Sequence, residues 1–223
     1  MNQELLAKVV AALPRCGAFK IGTFRLKLHN THPEAPLSPF YIDLRVLRSF
    51  PDILLDSATI LSELTSGLKF DLLADVPNAA TPFVTLMSQQ LGVPMISPQK
   101  DPKGHGTGDE IYGVYSPGQT VLVVDDLVTG ADSKLEAIKK LEAKGLRVTD
   151  VVVLLDRQQG GREELAKDDY TLHAAATADD LFPLIYAAGV LSPEAEDLCK
   201  RYRCGELRSG WEKDVKEGWD KVA

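Results

Sequence analysis

Cysteine is scarce in this 223-residue sequence, and Cys16, Cys199 and Cys204 stand at no metal-binding or redox spacing. So odd and sparse a count suits a reducing cytoplasm. Long apolar runs are missing as well. Nothing approaches the roughly 18 uninterrupted apolar residues that a membrane span requires. The first residues do not read as a signal peptide, because Glu4 lies among them and Lys8 and Pro14 break the apolar stretch. Positive charge is in deficit: 25 Lys and Arg against 32 Asp and Glu leave a formal net charge of −7. That balance argues against a general nucleic-acid or membrane-surface binder. Internal repeats and low-complexity tracts are absent too. The expectation is a cytoplasmic chain with no nucleic-acid and no membrane partner.

What is present is ordinary for a globular protein, with 44% hydrophobic and 26% charged residues. The length allows a real core and one embellished domain. Apolar positions Leu5, Leu6, Val9, Val10 and Leu13 give a helical face closed by Pro14. Residues 17–27 alternate like a half-exposed hairpin, and Ser38 to Arg45 reads as a strand. Beyond residue 50 the pattern changes. A helix over 52–66 is followed by a strand at 70–77, a helix through Met87 and a strand at 92–96. Next come the strand Val121 to Asp125, a helix over 133–144, a strand at 148–155 and a further strand from Thr171. Strands and helices alternating at this length predict a doubly wound, mainly parallel α/β sheet. Asp179 to Leu191 reads as a helix, Ser192-Pro193-Glu194 starts another, and the tail with Trp211 and Trp219 is helical in pattern, its aromatics docking rather than carrying chemistry.

The chemistry concentrates in Thr120 to Lys134, Thr-Val-Leu-Val-Val-Asp-Asp-Leu-Val-Thr-Gly-Ala-Asp-Ser-Lys. Val121 to Val124 is a β-branched run, as in a strand buried on both faces. Asp125 and Asp126 follow, then the small loop Thr129-Gly130-Ala131, with Ser133 a candidate N-cap for the next helix. Loop amides and a helix dipole suit a phosphate, and carboxylates at a strand end accept hydrogen bonds from sugar hydroxyls. In open α/β sheets, ligands sit outside the carboxyl ends of the strands, where this loop would lie. An ordinary strand-to-helix turn with two solvated acids is the bland alternative.

This segment resembles the phosphoribosyl-diphosphate (PRPP) motif of type I phosphoribosyltransferases. Four further stretches narrow the resemblance to orotate phosphoribosyltransferases. Phe24-Arg25-Leu26-Lys27 and Ser38-Pro39-Phe40-Tyr41 look like that family's hood strands. Lys100-x-x-Lys103-x-His105-Gly106 matches its catalytic loop, and Asp156-Arg157-Gln158-Gln159-Gly160-Gly161 matches its Asp-Arg-x-x-Gly-Gly segment. The resemblance covers roughly residues 17–190. It implies a hood over about 1–50, a core over about 51–190 and a helical tail over about 191–223, all in one phosphoribosyltransferase-like domain.

The reaction so implied is transfer of phosphoribose from PRPP to orotate, with Mg²⁺ riding mainly on substrate oxygens, in a homodimer with shared active sites. By the same resemblance, Lys27 contacts orotate or diphosphate, and Phe40 and Tyr41 lie against the pyrimidine. Each of those two rings, taken alone, better suits the core of an antiparallel hairpin. Asp125 and Asp126 hold the ribose hydroxyls, and Thr129, Gly130, Ala131, Asp132 and Ser133 cradle the 5′-phosphate. Lys100, Lys103 and His105 neutralise the diphosphate, where preorganised positive charge has its largest effect. Arg157 pairs with the orotate carboxylate, whose geometry its planar guanidinium matches.

Some positions depart from the family pattern. Gln99 replaces an arginine, Asp75 replaces a glycine, Asn78-Ala79 lacks the aromatic and the hydroxyl or lysine often found in the diphosphate loop, and Asp132 stands where a hydroxyl meets phosphate. Two like charges about 4 Å apart cost roughly 4 kcal/mol at an effective dielectric near 20. These departures motivate a second reading, a homologue of weak or no transferase activity that binds a nucleotide or pyrimidine as a sensor or regulatory module. A phosphoribosyltransferase for another base is a third, against which Lys27 and Arg157 speak.

Overall fold

The computed structural model describes residues 2–99, 110–189 and 191–215, apart from the side chain of Lys27. In chain order the elements are α1 (Gln3–Ala12), β1 (Phe19–Phe24), β2 (Ser38–Ile42), α2 (Pro51–Leu64), β3 (Leu72–Asp75), α3 (Thr81–Leu91), β4 (Met95–Pro98), β5 (Ile111–Tyr112), β6 (Thr120–Val128), α4 (Asp132–Glu142), β7 (Arg147–Asp156), α5 (Gly161–Lys167), β8 (Thr171–Thr177), α6 (Ala178–Ala187) and α7 (Pro193–Arg203). Chain contacts group these into two units, residues 1–9 with 48–178, and residues 10–47 with 179–223.

The larger unit is built on a sheet with strand order β5-β4-β3-β6-β7-β8 among the described residues. All neighbours run parallel except β5, which returns antiparallel on β4. From β3 the chain moves outward to β4 and then comes back to place β6 on the other side of β3. The strand order therefore reverses between β3 and β6, and a crevice opens at their carboxyl ends.

Val121, Val123, Val151 and Val153 point to one face and meet Ala137, Ile138 and Leu141 of α4. The other face is covered by α2 against β7 and β8, and by α3 against β3. With both faces covered, alternation disappears and the strands read as continuous apolar runs. Each fully buried Val, Leu or Ile contributes roughly 1.5–3 kcal/mol. Pro82 stands in the first turn of α3, and Gly92 ends that helix at φ 67°, a left-handed conformation that favours glycine.

In the smaller unit β1 pairs antiparallel with β2, so residues 19–24 find their partner across the loop rather than in a hairpin of their own. Phe40 lies nearly parallel to Phe19, at 6.2 Å, and takes Phe182 and Tyr202 edge-on. α7 packs on β2. It is capped by Ser192, whose hydroxyl accepts the Ala195 amide at 3.1 Å. The Trp211 indole N–H donates to the Leu37 carbonyl at 2.8 Å and is buried. The C-terminal segment thus shares a unit with β1 and β2 instead of forming a separate tail. After α7 its described part is turns and one short 3-10 helix, Trp211–Lys213, not a continuing α-helix. Trp219 lies outside the described residues.

Candidate active site

A pocket at the carboxyl ends of β3 and β4 gathers the loop after β3, the end of β4 and the first turns of α4. Val76, Pro77, Pro98, Gln99, Ser133, Glu136, Ala137 and Lys140 line it. Asp75 closes β3 and is fully buried, one oxygen accepting the Thr81 hydroxyl at the start of α3. That oxygen ties down α3 at the base of the loop, while the other is buried with no hydrogen-bond partner among the described residues. Arg48 donates to the Asn78 carbonyl at 3.0 Å and steadies the same loop.

Asp125 and Asp126 lie inside β6 rather than after it, because pairing with β7 continues to Val128 opposite Asp156. Consecutive strand residues face opposite ways. Asp125 turns to α4, where its Oδ2 meets Lys134 Nζ at 2.5 Å, with both side chains at most 5% exposed. Lys134 Nζ also donates to the Leu127 carbonyl at 2.7 Å. The second Asp125 oxygen accepts the Asp126 amide at 2.8 Å. Both carboxylate oxygens of Asp125 are thus engaged within the protein.

Asp126 points to the opposite face, and its Oδ1 accepts the Leu127 amide at 2.8 Å. Its carboxyl is pushed up to about 7, chiefly by burial, then by the charge of Asp125 and hydrogen bonding with it. The Leu127 amide and the Lys134 ammonium oppose that rise.

The loop after β6 leads directly into α4, whose N-cap is Ala131 with no side-chain cap. Ser133 is not the cap; it lies exposed in the first helical turn, one residue after Asp132, which is also exposed. The start of α5 is fastened to this loop. The Gly161 amide donates to the Thr129 carbonyl at 3.0 Å, and the Ala131 amide donates to Glu164 Oε2 at 2.7 Å. A Cβ on Gly161 would overlap Val128 Cγ2 and stand 2.8 Å from the Thr129 carbonyl oxygen. Overpacking of this kind costs roughly 1–3 kcal/mol. Gly161→Ala should therefore lower the urea midpoint and displace the loop, seen as shifted amide resonances for Thr129 to Ala131.

Arg157 follows β7, its amide donating to the Val128 carbonyl at 3.0 Å, and it is buried beside the loop. Asp156 fixes the turn, accepting the Gln158 amide at 2.8 Å and Arg162 Nε at 3.2 Å. Lys100, Lys103 and His105 lie outside the described residues, but the stems on either side of them meet. The Gln99 amide donates to the Glu110 carbonyl at 2.7 Å, and Lys140 Nζ donates to the Gln99 carbonyl at 2.8 Å. In the smaller unit, Lys27 begins a short 3-10 helix, Lys27–Asn30. Phe40 is enclosed at 2% exposure, so its ring packs that unit, whereas Tyr41 faces the other way, is only half-buried and lies 5.6 Å from Phe24.

One unit of structure therefore collects Asp125, Asp126, Thr129 to Ser133 and Arg157 around the switch point. Glu164, Lys140 and Arg48 join them without having been foreseen, and Lys134, expected to offset the charge of Asp132, pairs with Asp125 instead. Lys134 left a readable signal. It shares a helical face with Ile138 and Leu141, and a lysine on a buried face needs an acid within reach.

Among the described residues no group of three or more His, Cys, Asp or Glu could hold a metal ion. No helix among them is long and apolar enough to cross a membrane.

The sequence matches no family model. It is 40% identical over 165 residues to an orotate phosphoribosyltransferase of Caenorhabditis elegans, spanning 73% of this chain and 70% of that relative. An orotate phosphoribosyltransferase of Methanopyrus kandleri is 36% identical over 183 residues, spanning 81% of this chain and 92% of the relative. Among solved structures, the UMP synthase of Leishmania donovani matches with TM-score 0.80 at 32% identity, covering 89% of this chain. This chain spans 42% of that longer protein.

Proposed function

The chain belongs to the orotate phosphoribosyltransferase family, and from that premise we propose that it transfers the phosphoribosyl group of PRPP to orotate. The products are orotidine 5′-monophosphate and diphosphate, as a step of pyrimidine synthesis. One observation carries this reading most directly: the acid pair and the Thr129-to-Ser133 loop sit at the switch point of the sheet, at the carboxyl ends of β3 and β6.

The anomeric carbon passes through an oxocarbenium-like state as diphosphate departs. Asp126 holds the ribose hydroxyls, and its negative charge favours the cationic sugar. Asp125, engaged by Lys134, fixes the strand end from which Asp126 projects. The loop amides and the start of α4 receive the 5′-phosphate. Arg157 takes the orotate carboxylate in two parallel hydrogen bonds. Lys100, Lys103 and His105 meet the diphosphate, and Lys27 and Tyr41 serve the base; for these five the resemblance is the support. Mg²⁺ would ride mainly on PRPP oxygens and water, as suits an ion reluctant to dehydrate. It would neutralise charge on the leaving diphosphate. The proposal extends to a homodimer with shared sites, located in the cytoplasm.

A base screen tests the assignment. With PRPP and Mg²⁺ present, orotate should be consumed and uracil and adenine left untouched. Equal use of several bases would favour a different transferase, and binding of orotate or its nucleotide without turnover would favour a sensor.

A further inference from the structure

The Glu164 carboxylate reaches into the loop proposed to seat the 5′-phosphate. Its Oε2 accepts the Ala131 amide at 2.7 Å and would lie 3.4 Å from a Cβ placed on Gly130. The carboxylate thus lies over the Gly130–Ala131 peptide, close enough for the small residues there to matter. Two ties hold it in place. The Gly161 amide bonds the Thr129 carbonyl, and Arg162 is anchored to Asp156 and to the Leu172 carbonyl. α5 is thereby stapled to the loop at both of the loop's edges, Thr129 and Ala131.

A carboxylate and a phosphate are both oxyanions that seek backbone N–H donors, and one amide proton cannot serve both at full strength. Their like charges also repel at such range. We infer that Glu164 is an internal stand-in for the phosphate: it occupies the Ala131 amide in the ligand-free protein and must swing aside when the 5′-phosphate enters. The inference rests on the reading of residues 129–133 as the phosphate seat. It makes Glu164 an affinity-setting residue, one that competes with the phosphate for the Ala131 amide. Asp132, exposed at the start of α4, adds to the same negative field. A ligand's phosphate is therefore bound more weakly here than the loop amides alone allow.

Calorimetry with ribose 5-phosphate on the full chain tests this, comparing wild type, Glu164→Gln and Thr129→Val. Glutamine keeps an acceptor for the Ala131 amide and removes the charge, so the loop keeps its shape. Glu164→Gln should bind ribose 5-phosphate about tenfold more tightly, and the KM for PRPP should fall by a similar factor with kcat little changed. Thr129→Val should weaken binding in the same assay. If Glu164→Gln binds equally or more weakly while Thr129→Val weakens binding, the phosphate seat stands and Glu164 merely shapes it, which overturns the inference. If neither variant alters binding, the phosphate seat is elsewhere and both readings fall. Thermal unfolding of each variant confirms that it is folded.

Discussion

Replacing Lys134 with methionine should lower the unfolding free energy by about 3–5 kcal/mol, because it strands a buried carboxylate. Lys134 and Asp125 are at most 5% exposed and meet at 2.5 Å. The same ammonium satisfies the Leu127 carbonyl where the chain leaves β6. Methionine preserves the length and apolar contacts of the stem, so the loss isolates charge and hydrogen bonding. The joint variant Asp125→Leu with Lys134→Met should recover most of that loss, since a buried pair replaced by apolar groups is often neutral or stabilising. Urea denaturation of both variants and wild type measures the difference. A single variant within about 0.5 kcal/mol of wild type, the range of an unremarkable surface change, would mean that this pair is not holding the loop.

Asp126 carries the second large effect. Asp126→Asn should reduce kcat/KM for PRPP by at least about a hundredfold, the scale seen when one preorganised group facing transition-state charge is lost. The pH dependence follows from the raised carboxyl. In the folded protein Asp126 titrates at about 7, against 3.8 for an ordinary aspartate. Between those values the unfolded chain has already released the proton that the folded chain still binds, so this group makes stability fall as pH rises through the window. At about 1.4 kcal/mol for each pH unit, the fall is roughly 4 kcal/mol at most. Asparagine removes this slope, so the variant should be more stable than wild type at pH 8 and nearly equal to it at pH 4. Catalysis should run the other way. Wild-type kcat/KM should rise through about pH 7 as the carboxylate forms, and the variant should lack that step. A variant showing the same rise would assign the step to another group. A residue that costs stability and confers activity is what a site optimised for chemistry contains.

The segment Thr120 to Lys134 was legible because its signals are local. A β-branched run, two acids and a small loop state a strand, a ligand-facing edge and a turn without reference to the rest of the chain. The alternation of strands and helices after residue 50 was legible for the same reason, and so was Arg157 at the end of β7. The direction in which each acid faces was not. Asp125 and Asp126 read as equal partners until α4 is docked, and then only Asp125 meets Lys134. Glu164 was hidden by distance, standing 33 residues from the amide it binds. Phe40 read as a ring for the base, and either reading suits a strand residue until the partners of its face are known. Those partners, Phe182 and Tyr202, come from the far end of the sequence. β5, with only two residues, is too short to carry a periodic pattern.

The central claim is that Asp126 and the Thr129-to-Ser133 loop bind PRPP for transfer to orotate. Titrating PRPP with Mg²⁺ into the protein by calorimetry, then adding orotate and following its absorbance, tests that claim most directly. Saturable PRPP binding followed by loss of orotate is the predicted result, and Asp126→Asn should abolish the second step. Orotate or its nucleotide binding in the absence of any PRPP binding or turnover would contradict the account, and would mean that the fold serves recognition alone.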